Sequence, residues 1–459
     1  MSKARKDLLG RLVNKLEQHA PYADALYSEN TTRVIAKNTA EIECSTDADA
    51  GVKVRAYDGT QFHEVCVQGW QPQLMQAEVH SLIERLKHVE GKTATLKLSK
   101  ERADKDFTVA YVTDPATVPI QKKFSFIEAL HAKVQKKPFI NCIVSYREEE
   151  EHRIFVNKYK RLASTWTGCT VTIVPFVQTA SGETRSDHFT NFRNGFEVTD
   201  IDEEDLKAFM DRAAKLKTAK KLPPGKYTAI LSPTVTGLLA HESFGHGMES
   251  DTILHGRAKA AEYIGKKISN VKVNICEDAS LPSTHGFLFF DDEGMMPKRV
   301  FLVERGTVKQ PISEAYSASR KSFPRTANGR AEAFDHKVYA RMTNTFFLSG
   351  KDDPVKMIKS VRNGIYIHTG SSGMEDPKGW GVQLAGLLCE RIKNGKLTGE
   401  LFYEASMGGY LPDILGNIKM VGKDFEIIKD VGFCGKEHKE WVRVSSGGPH
   451  VLIREVELS

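Results

Sequence analysis

The run Leu222-Pro223-Pro224-Gly225 divides this chain more sharply than any other feature. Consecutive prolines withhold two backbone donors and force extended geometry on the residue before them, so neither a helix nor a central strand passes through. The glycine that follows completes a break signal. Just before it, residues 200–221 open with Asp202, Glu203, Glu204 and Asp205 and close with Lys215, Lys217, Lys220 and Lys221. Acids first and bases last complement the helix dipole, so a helix is expected over 200–221. Beyond the break the chain turns to short apolar runs and glycines. A length of 459 residues also exceeds one simple core. Two domains are expected, residues 1–222 and 226–459.

Periodicity fills in both halves. Leu8, Leu9, Leu12, Val13 and Leu16 recur at helical spacing. Further helices are expected over 76–89 and 126–136. Strands are expected over 33–44, 52–56, 107–112, 139–144 and 169–177, with Asp58-Gly59 as a hairpin signal. In the second half, strand-like runs cover 229–231, 271–275, 287–290, 300–303, 364–367, 381–388 and 451–456, with a turn at Gly447-Gly448-Pro449. The expected fold class is α+β. A mixed α/β first domain precedes a second that is mainly antiparallel β and carries one important helix.

Composition excludes several function classes. Apolar residues make up 40% and charged ones 27%, which fits a globular chain rather than a disordered or membrane-embedded one. The net charge of +6 is spread along the sequence with acids between the bases, so it does not point to nucleic acid. No apolar run is long enough to cross a bilayer, and Arg11, Asn14 and Lys15 interrupt the only candidate leader. A cytoplasmic protein is expected. The 7 cysteines are odd in number and widely spaced, with no CxxC pair, which excludes a disulfide framework and a zinc ribbon. They read as small buried hydrophobes, with Cys434 as the exception.

Chemistry concentrates at His241-Glu242-Ser243-Phe244-Gly245-His246-Gly247. Ser232 as N-cap and Pro233 at the first helical position start the helix that leads into it. The pattern H-E-x-x-x-H is the zinc-peptidase H-E-x-x-H with one extra residue. On a regular α-helix, residues five apart diverge by about 140°. Either a single π turn, eased by Gly245, or a helix end at Gly245 and Gly247 lets both imidazoles converge on one metal. Glu242 then stands beside the metal as general base. A catalytic metal needs a third protein ligand and an open position. Cys434, flanked by Gly432 and Gly435 and near Lys436, is one candidate; His255, His285, His336, His438 and His450 are others. Spacing alone leaves that choice open.

The motif continues as Met248-Glu249-Ser250-Asp251 and is followed by Asp291-Asp292-Glu293-Gly294, Asn328-Gly329-Arg330, Arg341-Met342-Thr343-Asn344-Thr345 and Cys434-Gly435-Lys436. In order and spacing these blocks resemble the TldD branch of the TldD/PmbA family of metallopeptidases. The resemblance implies that His241, His246 and Cys434 bind one divalent metal, zinc or alternatively iron, and that Glu242 is the catalyst. It also implies a homodimer, or a heterodimer with a PmbA/TldE-like subunit. Residues 1–222 would supply dimer contacts and the wall of a closed cavity that takes extended peptides as substrate. The alternative is a non-catalytic metal-binding regulator or scaffold, in line with the family's association with modulation of DNA gyrase. The chain departs from the family pattern at Glu437-His438-Lys439 and over residues 368–380, which bears on substrate contacts and partner choice.

Asp291-Asp292-Glu293-Gly294 reads as a turn, or as carboxylates that order the cavity wall. Arg341 and Arg330 are candidates to bind a substrate carboxylate, with Asp292 beside them; salt bridges to Asp291 or Asp292 are the other reading.

Overall fold

The structure, a computed structural model, describes residues 2–87, 95–427, 432–436 and 439–459. It opens with helix α1 (Ser2–Leu16) and an antiparallel meander of β1 (Tyr22–Lys37), β2 (Ile42–Tyr57) and β3 (Phe62–Gln68). Residues 33–44, expected as one strand, are instead two strand ends with a turn between them. Asn38 Oδ1 accepts the N–H groups of Ala40 and Glu41, so the side chain takes over backbone donors that a strand would have paired. Asp58 makes the next turn in the same way, through Thr60 and Gln61.

Helix α2 (Pro72–Leu86) starts at its proline, where a missing N–H costs nothing; the expected end at Val89 lies outside the described residues. Then come β4 (Ala103–Thr108), α3 (Ile120–Val134), β5 (Asn141–Asn157), β6 (Lys160–Gln178), β7 (Thr184–Ser186), β8 (Phe189–Arg193) and α4 (Glu203–Lys215). The sheet runs β3-β2-β1-β5-β6-β4, with β7 and β8 also on β6. Helix α4 is shorter than expected. Asp202 caps its start, and a 3₁₀ turn, Leu216–Thr218, ends it before the last two lysines.

From Gly225 onward two further sheets enclose one large core. The strands are β9 (Gly225–Leu231), β10 (Ile275–Glu277), β11 (Val300–Glu304), β12 (Thr307–Val308), β13 (Gly329–Arg330), β14 (Tyr339–Ala340), β15 (Asn344–Phe347), β16 (Asn363–Thr369), β17 (Ser372–Asp376), β18 (Gly381–Lys393), β19 (Lys396–Tyr410), β20 (Ile418–Val421), β21 (Glu426–Ile427), β22 (Gly432–Lys436), β23 (Lys439–Gly448) and β24 (Val451–Leu458). One sheet runs β12-β11-β10-β15-β23-β21, with β22 hanging on β23. The other, β16-β9-β24-β19-β18-β17, closes on itself because β16 also pairs with β18. Pairing is antiparallel except for β15 with β23 and β16 with β9. Helix α5 (Pro233–Ala240) lies between these sheets, and Val235, Leu239 and Ala240 join residues of both in the core. The fold class is α+β.

Residues 287–290 form no strand. Their rings pack against the first sheet instead: Phe289 stacks on Phe107 with centroids 5.1 Å apart, and Arg153 donates to the Phe290 carbonyl at 3.0 Å. Apolar content here serves contact with another layer, which a short run cannot distinguish from a strand. Four cysteines (Cys142, Cys169, Cys276 and Cys389) are buried as expected, but Cys44 and Cys66 are exposed. Cys44 lies in the exposed first half of β2, and Cys66 alternates with the buried Val65 and Val67 on β3. Among the described residues no helix is long and apolar enough to cross a membrane.

Candidate metal centre

Ser232 Oγ accepts the Val235 N–H at 3.3 Å and Pro233 follows at the first helical position, so α5 begins where its cap signal stands. The helix then widens. His241–Gly245 forms one π turn, in which the His246 N–H donates to the His241 carbonyl five residues back. This extra residue in the turn brings His241 and His246 to one side, with ring centroids 5.4 Å apart and nearly perpendicular. Ser243 Oγ bonds back to the Leu239 carbonyl, a contact that loosens regular helix geometry. Gly245 avoids a tight contact, since a Cβ there would stand 3.0 Å from Met342 Sδ.

Cys434 arrives from β22. Its Sγ lies 3.0 Å from His246 Nε2, and ligand atoms of His241, His246 and Cys434 all fall within 4.8 Å of one another. Donors bound tetrahedrally at 2.0–2.3 Å would be separated by roughly 3.5 Å. Two imidazoles and a thiolate with that spacing fit a borderline divalent metal. Burial by itself raises the Cys434 thiol, but the charges and hydrogen bonds of His241 and His246 bring it well below the ordinary cysteine value. The thiolate is the ligating form. Glu242 is buried beside the three donors, and burial raises its carboxyl above the usual range.

A layer of charges supports these groups. Arg341 donates to Cys434 Sγ at 3.1 Å, to its carbonyl at 3.0 Å, and to Glu249 Oε1 at 2.9 Å. Glu249 also faces His246 Nδ1 at 3.9 Å and Lys436 Nζ at 2.9 Å. Burial opposes its ionisation, yet Lys436 and Arg341 hold its carboxyl far below the usual range. Lys436 reaches on to Asp251 at 2.7 Å. The Cys434 strand is thus tied to the residues that follow the π turn. From the opposite side, Gly373 of β17 presses on Glu242, where a Cβ would stand 2.3 Å from its Cγ. A cavity of about 530 Å³, lined by His241, Glu242, His246, Ser372, Cys434 and Trp441, opens from the centre.

The remaining expected site residues do not line this cavity. Arg341 is fully buried and its donors are spent on Glu249, Cys434 and the Glu440 carbonyl, so it presents nothing to a substrate carboxylate and supports the thiolate instead. Arg330 is buried and donates to the carbonyls of Met342 and Arg443. Asp292 accepts from Arg153 and from the Ala331 N–H. Neither arginine pairs with Asp291 or Asp292; both are consumed by backbone carbonyls or by Glu249. Asp291 accepts the N–H groups of Glu293, Met295 and Gly329, so that block is a turn anchored to β13. Of the alternative third ligands, His285 bonds Glu149, His336 faces Glu332 and Glu440, and His450 bonds Asp424. His438 lies outside the described residues.

Glu249 and Glu375 were not singled out by sequence reasoning. Glu249, three residues after His246, carried a usable signal, because that spacing keeps both on one helical side. Glu375 of β17 had none, since Gly247, against which it packs, belongs to a distant segment of the chain.

Residues 224–459 match the family model of the PmbA/TldA metallopeptidase C-terminal domain. The chain belongs to the PmbA/TldD metallopeptidase family. A metalloprotease of Methanocaldococcus jannaschii is 27% identical over 455 residues, spanning 95% of this chain and 96% of its own. A zinc metalloprotease TldD homolog of Saccharolobus solfataricus is 28% identical over 235 residues, about half of either chain (51% and 52%). Among solved structures, TldE of Thermococcus kodakarensis superposes with a TM-score of 0.75 at 14% identity, covering 98% of this chain and 100% of its own. A Thermotoga maritima protein described as a modulator of a DNA gyrase gives 0.76 at 18%, covering 99% of each. At these identities the two structures speak to the fold. PmbA/TldD membership places the three converging donors in a chain of a metallopeptidase family.

Proposed function

We propose that this chain is a metal-dependent peptidase that hydrolyses extended peptides, with one zinc ion held by His241, His246 and Cys434 and Glu242 as general base. The observation that carries the reading is the convergence of two imidazoles and a thiolate within 4.8 Å beside a buried glutamate. A purely structural site has no use for that neighbour. The thiolate favours zinc over harder cations, and the zinc metalloprotease name of the Saccharolobus solfataricus relative agrees. Bound there, zinc would polarise the scissile carbonyl and lower the pKa of an attacking water toward about 7.

Everything else falls to the protein. Glu242 takes the proton released by the attacking water and returns it to the departing amine, a role suited to a carboxyl whose buried setting raises its basicity. Arg341 and Glu249 keep the ligands in place, and β17 shields Glu242 from bulk water. β17 is also the end strand of its sheet, so its outer backbone edge can pair with an extended peptide whatever the sequence.

We place the working chain in the cytoplasm, where 7 free thiols persist, and in a homodimer or a heterodimer with a TldE-like subunit. Residues 1–222 then supply dimer contacts and cavity wall, and residues 226–459 the peptidase site. The test compares wild type with Glu242→Ala for bound zinc and for cleavage of an unfolded peptide mixture. Retained zinc with cleavage lost by a factor of about a thousand or more supports the mechanism; unchanged cleavage overturns it.

A further inference from the structure

Glu375 sits two residues from Gly373 on β17, so both point to the same face, toward the metal centre. Both carboxylate oxygens of Glu375 are buried and lack a hydrogen-bond partner among the described residues. So does the indole N–H of Trp380, a side chain with 0% exposure. The two groups meet above Gly247. A Cβ on that glycine would stand 2.8 Å from Glu375 Oε1 and 3.2 Å from Trp380 Nε1. Glycine therefore keeps a small space open between an unpaired acceptor and an unpaired donor.

The other acids nearby are accounted for. Glu249 is paired with Arg341 and Lys436, Asp251 with Lys436, and Asp376 accepts the N–H groups of Lys378 and Gly379. Glu242 is the proposed base. Glu375 is the acid left without an answering group, and a buried acid of this kind takes up its charge only when a partner is present. It lines a cavity of about 600 Å³ that also contains Glu242 and His246, so a partner bound there would belong to the substrate.

We propose that Glu375 receives the ammonium group of the substrate. The idea rests on the peptidase reading and adds what that reading lacks, a determinant of where on a peptide the site engages. Two sources carry this chemistry, the α-amino terminus and a lysine side chain. The terminus is the better candidate, because an ammonium at the chain end sits next to a peptide bond, and Glu242 lines the same cavity. A terminus anchored beside Glu242 makes the enzyme count from the amino end of its substrate.

The test uses the zinc-loaded Glu242→Ala chain, with its partner subunit if one co-purifies, so that binding is read without cleavage. Three peptides of matched sequence are compared: free amine without lysine, Nα-acetylated without lysine, and Nα-acetylated with lysine. The free-amine peptide is expected to bind at least tenfold more tightly than the acetylated lysine-free one. Adding Glu375→Gln should abolish that difference and leave the zinc content unchanged. If the acetylated lysine peptide binds as tightly as the free-amine one, and Glu375→Gln removes its advantage, the ammonium source is the side chain. Equal binding of all three, a difference that survives Glu375→Gln, or no binding at all overturns the proposal. Cleavage of the same peptides by the Glu242-containing enzyme is scored separately, so a protein that binds amines without hydrolysing peptides refutes the peptidase reading alone.

Discussion

The guanidinium of Arg341 donates to Sγ of Cys434 at 3.1 Å, from a side chain with no solvent exposure at all. The same group holds the Cys434 carbonyl and Glu249, which in turn faces His246. One buried cation therefore orients two of the three proposed ligands and favours the thiolate form of one. Groups that bond to ligands in this way tune a metal site without touching the metal.

Replacing Arg341 with methionine should weaken zinc binding by about 10- to 100-fold. Zinc retained after equilibration against graded chelator concentrations measures this, with circular dichroism checking that the chain still folds. Lysine should rescue only in part, because it cannot span Cys434 and Glu249 with a planar fork. Unaltered zinc affinity in the methionine variant would show that the arginine merely fills space.

Gly373 makes a second prediction. A Cβ at this position would stand 2.3 Å from Glu242 Cγ and 2.6 Å from its Oε1, so Gly373→Ala must push the carboxylate aside. Displacement near 1 Å at a reacting group costs on the order of 100-fold. The expected outcome is a fall in kcat of that size with zinc content unchanged. Full activity would mean that β17 gives way and does not set the position of Glu242.

The metal helix was legible in the sequence because its signals are local. Ser232 and Pro233 mark its start, and the five-residue spacing of His241 and His246 with Gly245 between them calls for either a widened turn or a helix end, of which the chain takes the first. Cys434 could not be separated from the histidines by spacing, since the pairing spans 188 positions and only the path of β22 decides it. Arg341 misled for a related reason. An arginine in a polar, threonine-rich block reads as surface chemistry, yet its partners Glu249 and Cys434 are supplied by distant segments that enclose it. Residues 33–44 failed locally, because the acceptor on Asn38 outweighed the strand propensity of its neighbours.

A pH series tests the contact between the first sheet and the Cys434 strand. His285 Nε2 bonds Glu149 Oε2 at 3.0 Å, and His285 Nδ1 donates to the Gly432 carbonyl at 3.0 Å. Burial raises the Glu149 carboxyl, but the hydrogen bond of His285, its charge on the acid side, and Arg147 and Arg443 bring it to about 2 against an ordinary 4.5, while burial lowers His285 itself. The unfolded chain binds more protons between those values. The contribution of Glu149 is thus complete above pH 4.5 and is lost as pH falls toward about 2. Its ceiling is on the order of 3 kcal/mol. Urea denaturation of wild type and Glu149→Gln should show a stability gap that narrows across this window; a gap that stays constant would show that the carboxylate is held by something other than its charge.

Removing the metal should expose the chemistry of Cys434. Its thiol is held well below the ordinary value, burial notwithstanding, by His241 and His246, so without zinc it ionises more readily than an ordinary cysteine. Burial pushes the Cys66 thiol the other way. In a Cys44→Ser background, iodoacetamide at pH 6 should label Cys434 before Cys66 once a chelator has stripped the protein, even though Cys66 is the more exposed of the two. Zinc should protect Cys434 and leave Cys66 labelling unaffected, with peptide mass mapping as the readout. This ordering follows from electrostatics rather than from access, which favours Cys66. Labelling of Cys66 first, with or without zinc, would mean that the two imidazoles do not stabilise the thiolate and that Cys434 is a poor candidate for the third ligand.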